Sequence, residues 1–173
     1  LQTLKDSYAI TSYILAEPNK AERATRYGLL IAEQMMDEQF ALPLARWARG
    51  MYEMFHAPEK AIELFQQAQV AYQVVGNELV VAFLNVNLVG VLTECGRFAE
   101  AEIAYQAAHP ELLKLVNVKP IYLLWLEQNY GWLLYSQGRY TDALIVLDRA
   151  LHLAQQYSFS ANINGIQVNR HLV

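Results

Sequence analysis

Apolar residues along this chain recur at steps of three and four, the spacing that puts them on one face of an α-helix. The pattern is clearest from Asn129 to Leu151. Tyr130, Leu133 and Leu134 form one stripe, and Tyr140, Ala143, Leu144, Leu147, Ala150 and Leu151 form a second. Gln137-Gly138-Arg139 stands between them. Glycine accepts the positive φ at which a helix ends, so the pattern predicts two helices joined by a tight turn. Gly131, Ala143 and Ala150 fall where two such helices must approach closely.

The unit recurs. Ala61, Ala101 and Ala143 each precede a large side chain by four residues (Phe65, Tyr105, Leu147) and a second alanine by seven (Ala68, Ala108, Ala150). These copies lie 40 and 42 residues apart. Cys95-Gly96-Arg97-Phe98 repeats the turn Gln137-Gly138-Arg139-Tyr140. In the first copy the turn is His56-Ala57-Pro58, where proline can open a helix because its missing N–H needs no partner there. A weaker copy precedes these, with a break at Glu17-Pro18-Asn19, Ala24 in the alanine position and Gly28 in place of the large residue.

Nine helices are expected, near 2–16, 20–36, 39–55, 58–75, 78–95, 98–115, 119–137, 140–156 and 159–171. They group into repeats 2–36, 39–75, 78–115 and 119–156, with a truncated unit at 159–173. One helix pair cannot bury its apolar faces alone, whereas stacked pairs bury them against each other. The predicted fold is therefore all-α, a single domain over 1–173 built as a right-handed superhelical solenoid of antiparallel helix pairs with a concave side.

Gly131, Tyr135, Gly138, Tyr140, Ala143, Leu147 and Ala150 resemble the tetratricopeptide repeat signature, with its small residue in the first helix and its alanines in the second. Leu88, Leu92, Gly96, Phe98, Ala101, Tyr105 and Ala108 match it too, and Tyr52, Ala61, Phe65 and Ala68 match in part. The period exceeds the roughly 34 residues of the standard repeat. It is similar to the longer variant of kinesin light chains, of bacterial STAND-type ATPase regulators, and of bacterial proteins in which such arrays precede a caspase-like protease domain. The resemblance implies a bacterial scaffold for protein binding. It covers 39–157 and says nearly nothing about the partner.

Composition narrows the partner class. Net charge is −4 and the 13 basic residues are scattered, which argues against a nucleic-acid footprint. Charged residues make up 17% and hydrophobic ones 54%, against roughly 25% charge in an ordinary soluble domain. A partner, neighbouring repeats or an apolar groove would account for the difference. The apolar run 79–84 is far short of the ~20 residues a membrane span needs, and no secretory signal opens the chain. Beginning at Leu1, the chain reads as a piece of a larger protein, with its last apolar face capped by another element or paired in a homodimer. The single cysteine, Cys95, excludes an intramolecular disulfide and fits a reducing, cytoplasmic setting.

No catalytic or cofactor constellation emerges. His56, His109, His152 and His171 share no helical turn, and none pairs with Cys95 at metal-ligand spacing. Gly90 and Gly96 form no phosphate loop. Glu100 and Glu102 flank an alanine as a solvated face would. No metal, no cofactor and no enzymatic activity are expected.

The informative surface is the concave one, supplied by first helices. Its expected members are Arg46, Gly50 and Glu53, then Phe83, Val86, Asn87, Gly90 and Glu94, then Trp125, Gln128, Asn129, Trp132 and Tyr135. Gly50 and Gly90 occupy equivalent places, although glycine inside a helix is ~1 kcal/mol worse than alanine. They leave room either for tight helix packing or for a ligand backbone. Phe83, Trp125, Trp132 and Tyr135 either fill the inter-helix core or anchor a partner. Repeats that clamp an acidic C-terminus need several basic residues, and here the corresponding places hold Arg46, Val86 and Gln128, so such a clamp is excluded. The pattern points to a non-catalytic scaffold binding a peptide, a protein or another domain of its own chain. The alternative is an inducer-sensing segment of a bacterial signal-transducing regulator.

Overall fold

The computed structural model describes residues 16–173. Within them the protein is all-helical and contains no strand. Eight helices follow one another: α1 Pro18–Met35, α2 Ala41–Glu53, α3 Pro58–Val74, α4 Glu78–Glu94, α5 Phe98–Leu113, α6 Pro120–Ser136, α7 Tyr140–Gln156 and α8 Ser160–Leu172. Each lies within two residues of the corresponding expectation. The helix expected at 2–16 falls outside the described residues apart from its last position.

The helix ends explain this regularity. Pro18, Pro58 and Pro120 open α1, α3 and α6, where the missing N–H is one that no helical carbonyl would accept. At the other end, Gly76, Gly96 and Gly138 have φ of +70°, +71° and +74°. In each of these turns the next residue donates its N–H to the carbonyl five residues back: Asn77 to Tyr72, Arg97 to Leu92 and Arg139 to Leu134, all at 2.9 Å. Phe159 does the same to Ala154 at 2.8 Å, but there the left-handed residue is Ser158, with φ +58°. These bonds satisfy the orphan carbonyls of a helix C-terminus. The glycine-free turn after α2 works differently. His56 donates from Nδ1 to the Tyr52 carbonyl at 2.9 Å and stacks on the Tyr52 ring, with 4.2 Å between centroids.

The chain divides into two compact units, 1–84 and 85–173. In the first, α2 packs against both α1 and α3. Ala61, Ile62, Phe65 and Ala68 of α3 are almost fully buried. A Cβ on Gly50 would lie 2.5 Å from the Phe65 ring, so this glycine serves the close approach of α2 and α3. In the second unit α5, α6, α7 and α8 pack in sequence order. Leu124, Leu147, Ala150, Ala154 and Ile166 form its core, joined by a smaller cluster of Leu134, Ala143 and Val146. A Cβ on Gly131 would lie 2.7 Å from the Leu147 side chain. The residue four after the alanine thus sits over a glycine of the preceding helix in both units. No described helix is long and apolar enough to cross a membrane.

Candidate functional site

Two polar assemblies stand out, and each is built around a buried carboxylate. In residues 1–84, Glu53 accepts from Arg49 Nε at 2.9 Å and Nη2 at 2.6 Å, one turn apart on α2. Arg49 also donates from Nη1 to the Glu22 carbonyl at 3.0 Å and to Thr25 Oγ1 at 3.2 Å on α1. Lys60 of α3 reaches Glu53 at 3.1 Å. The pKa of Glu53 is lowered: burial works to raise it, but the bonds and charges of Arg49 and Lys60 outweigh burial.

In residues 85–173, Glu127 of α6 is 2% exposed and gathers groups from α5 and α7. Arg149 donates from Nη2 at 2.8 Å and Nε at 3.1 Å to Oε2. Tyr105 donates its hydroxyl to Oε1 at 3.1 Å, and His109 Nε2 lies 3.3 Å from the same oxygen. The Tyr105 ring stacks on Tyr130 with 3.6 Å between centroids, and Tyr130 donates to Glu102 at 3.1 Å. Burial pushes the Tyr105 phenol far up, with the Glu127 charge and hydrogen bond adding to it. Both Glu127 oxygens are engaged by donors, so this seam holds three helices together and offers no free base. Among the described residues no three His, Cys, Asp or Glu side chains come together as metal ligands would.

The expected groove members divide between packing and surface. Gly50, Glu53 and Phe83 are buried, and Arg46 is half-buried. Trp125 meets Tyr122 edge to face at 5.4 Å. Asn129 donates from Nδ2 to the Val86 carbonyl at 2.8 Å. A Cβ on Gly90 would find that amide nitrogen 3.3 Å away. Gly90 therefore accommodates Asn129, and the two tie α4 to α6. One turn further along both helices, Trp132 donates its indole Nε1–H to Glu94 Oε1 at 2.8 Å. The indole then stacks on Tyr135 at 5.2 Å, and Tyr135 meets Tyr140 at 5.6 Å with the rings tilted by 56°. Tyr140 is 52% exposed and Glu94 is exposed, while Asn87, Gln128, Trp132 and Tyr135 are half-buried. Within 85–173, the α4–α6 strip from Asn129 to Tyr135 thus presents aromatic faces and a carboxylate to solvent.

The Glu127 seam was not among the residues expected to form a site. Its signal was present: Glu127 falls on the apolar stripe of α6, three after Leu124, four after Leu123 and four before Gly131. A carboxylate at such a position needs a partner on the neighbouring helix. No family model, curated protein or solved structure matches the chain.

Proposed function

We propose that this protein is a non-catalytic scaffold of the tetratricopeptide type that captures a peptide segment of a partner, or of its own chain, on the strip formed by α4 and α6. The observation that carries the reading is the run of Trp132, Tyr135 and Tyr140 rings beside Glu94. Aromatic side chains lose few rotamers on binding and bring large apolar area, which is why they anchor interfaces. An extended or helical peptide laid on the strip meets ring faces at successive turns and acceptors between them. The repeated Ala register and the repeated turn supply a rigid base for those rings. The lone half-buried Cys95 suits a reducing, cytoplasmic setting for such a scaffold.

The test is selection from a random peptide library, followed by calorimetry of the selected peptides. Trp132→Ala should keep the helical circular dichroism of the parent and bind selected peptides at least about tenfold more weakly, the loss expected for an anchoring aromatic. Peptides that bind Trp132→Ala as well as the parent would remove this strip from the function.

A further inference from the structure

Glu94 differs from every other carboxylate of 85–173. Each of the others lies within ion-pair distance of an arginine or lysine. Among the described residues Glu94 has no such cation, and its one partner is the neutral indole N–H of Trp132. That bond has two consequences. It consumes the only donor the indole has, so the half-buried ring can offer a visitor nothing but its π face. It also places a carboxylate at the edge of that ring, with no arginine or lysine of the described residues within ion-pair distance.

The neighbouring groups are uncharged. Asn129 gives one N–H of Nδ2 to the Val86 carbonyl, which leaves its other N–H and Oδ1 at the margin of the strip. Tyr135 continues the π surface at 5.2 Å from Trp132. The site is therefore a carboxylate and two stacked rings, flanked by the Asn129 amide. Aromatic faces attract cations through their quadrupole, tryptophan most of all, and a carboxylate beside them adds direct charge attraction. An acidic side chain placed over these rings would instead meet the Glu94 charge, with no arginine or lysine of the described residues in ion-pair distance of it.

We propose that the Glu94–Trp132–Tyr135 site recognises a positively charged side chain, arginine or lysine, of the peptide that docks on this strip. The cation lies over the indole and phenol rings, with its N–H groups directed at the free oxygen of Glu94. This rests on the docking function proposed above and adds the chemistry of the partner.

The indole N–H resonance of Trp132 in the full chain, assigned by its loss in Trp132→Phe, reads the site directly. The probes are the capped tripeptides Leu-Arg-Leu, Leu-Gln-Leu and Leu-Glu-Leu. Leu-Arg-Leu should shift the Trp132 resonance with an affinity about fivefold above that of Leu-Gln-Leu, the gain of one exposed cation–π contact plus one exposed ion pair. Leu-Glu-Leu should bind most weakly. Glu94→Gln keeps an oxygen for the indole to bond, and in it the advantage of Leu-Arg-Leu should shrink to about twofold, the residual ring contribution. Equal affinity of the arginine and glutamine peptides for the parent would overturn the cation site while leaving docking on the strip intact. Failure of all three peptides to move the Trp132 resonance would overturn docking there and the cation site with it.

Discussion

Glu53 and Glu127 solve one problem in two ways. Each is a carboxylate buried on the middle helix of three, α2 in residues 1–84 and α6 in residues 85–173. Glu53 keeps its cation beside it: Arg49 sits one turn away and is itself only 10% exposed at its side chain. Glu127 draws its cation from outside: the Arg149 side chain is 52% exposed and belongs to the next helix. The Arg49 pair was desolvated as a unit, so neither member can return to water when the other is removed. Arg149 stays in water whatever happens to Glu127. The two arginines therefore differ in what their loss leaves behind: Arg49 also serves two groups of α1, whereas the bonds of Arg149 go to Glu127, and that difference sets the size of each mutational effect.

The largest effect belongs to Arg49. Arg49→Met leaves Glu53, among the described residues, with Lys60 as its cation and strips the Glu22 carbonyl and Thr25 hydroxyl of a donor. The expected cost is about 3 kcal/mol, the lower end of the range for breaking a buried pair. Urea denaturation followed by circular dichroism measures it. A cost below about 1 kcal/mol, the level of an exposed pair, would erase the contrast between the two sites.

Arg149→Gln comes second. Glu127 keeps Tyr105 and His109, the new amide can still donate to it, and among the described residues Arg149 bonds no second group that would lose a donor. The expected loss is about 1.5 kcal/mol, that of a hydrogen bond to a charged group discounted for the exposure of the guanidinium. The same denaturation experiment must place this variant between the parent and Arg49→Met. If it is the less stable of the two, the exposed cation is the more important one and the comparison is inverted.

Neither of these sites was read from the sequence. Arg49 and Glu53 stand four apart, the spacing of a helical ion pair, but Glu53 was expected on the concave surface rather than in the packing. The turns and the alanine register were legible because each is enforced locally, by a glycine at positive φ or a proline at a helix start. Gly50 was ambiguous between packing and ligand space, and the Phe65 ring beneath it resolves that choice. Tyr105 broke its own register. Its counterparts Phe65 and Leu147 press on Gly50 and Gly131, whereas the three atoms closest to Gly90 all belong to Asn129. Tyr105 instead bonds Glu127. The identity of a residue 22 positions away decides that outcome, and no helical period encodes it.

Acid and alkali separate the two sites more finely. The folded Glu53 carboxyl holds its proton less tightly than an unfolded one, whose ordinary value is 4.5. Its contribution is complete above that pH and is lost as pH falls toward the lowered folded value. Tyr105 behaves oppositely, because its folded phenol keeps the proton past the ordinary value of 10.0. Its contribution is complete below that pH and is lost as pH rises beyond it. Burial also raises Tyr72, Tyr122 and Tyr130, so Tyr105→Phe removes one of several such contributions. Stability of Tyr105→Phe above pH 10 should fall less steeply than that of the parent, by up to about 1.4 kcal/mol per pH unit for one proton. Its acid limb should be unchanged, whereas Arg49→Met should flatten the acid limb alone. An alkaline limb that Tyr105→Phe leaves unaltered would mean that the Glu127 seam does not hold this phenol in its protonated form.

The smallest effect has the opposite sign and lies in the same unit as Glu127. Ser158 is the one non-glycine among the four turns that share the bond from the following N–H to the carbonyl five back. Its φ of +58° is a conformation that costs any residue with a Cβ and costs glycine almost nothing. The flexibility that glycine adds to the unfolded chain takes back part of that gain. Ser158→Gly should therefore stabilise the protein by about 0.5 kcal/mol, without touching any group around Glu127. Combined with Arg149→Gln it should add within a few tenths of a kcal/mol, as independent sites do. A larger departure from additivity would mean that the end of α7 and the carboxylate seam are mechanically one structure, so that the Glu127 site, like the Glu53 site, extends to the helix ends around it.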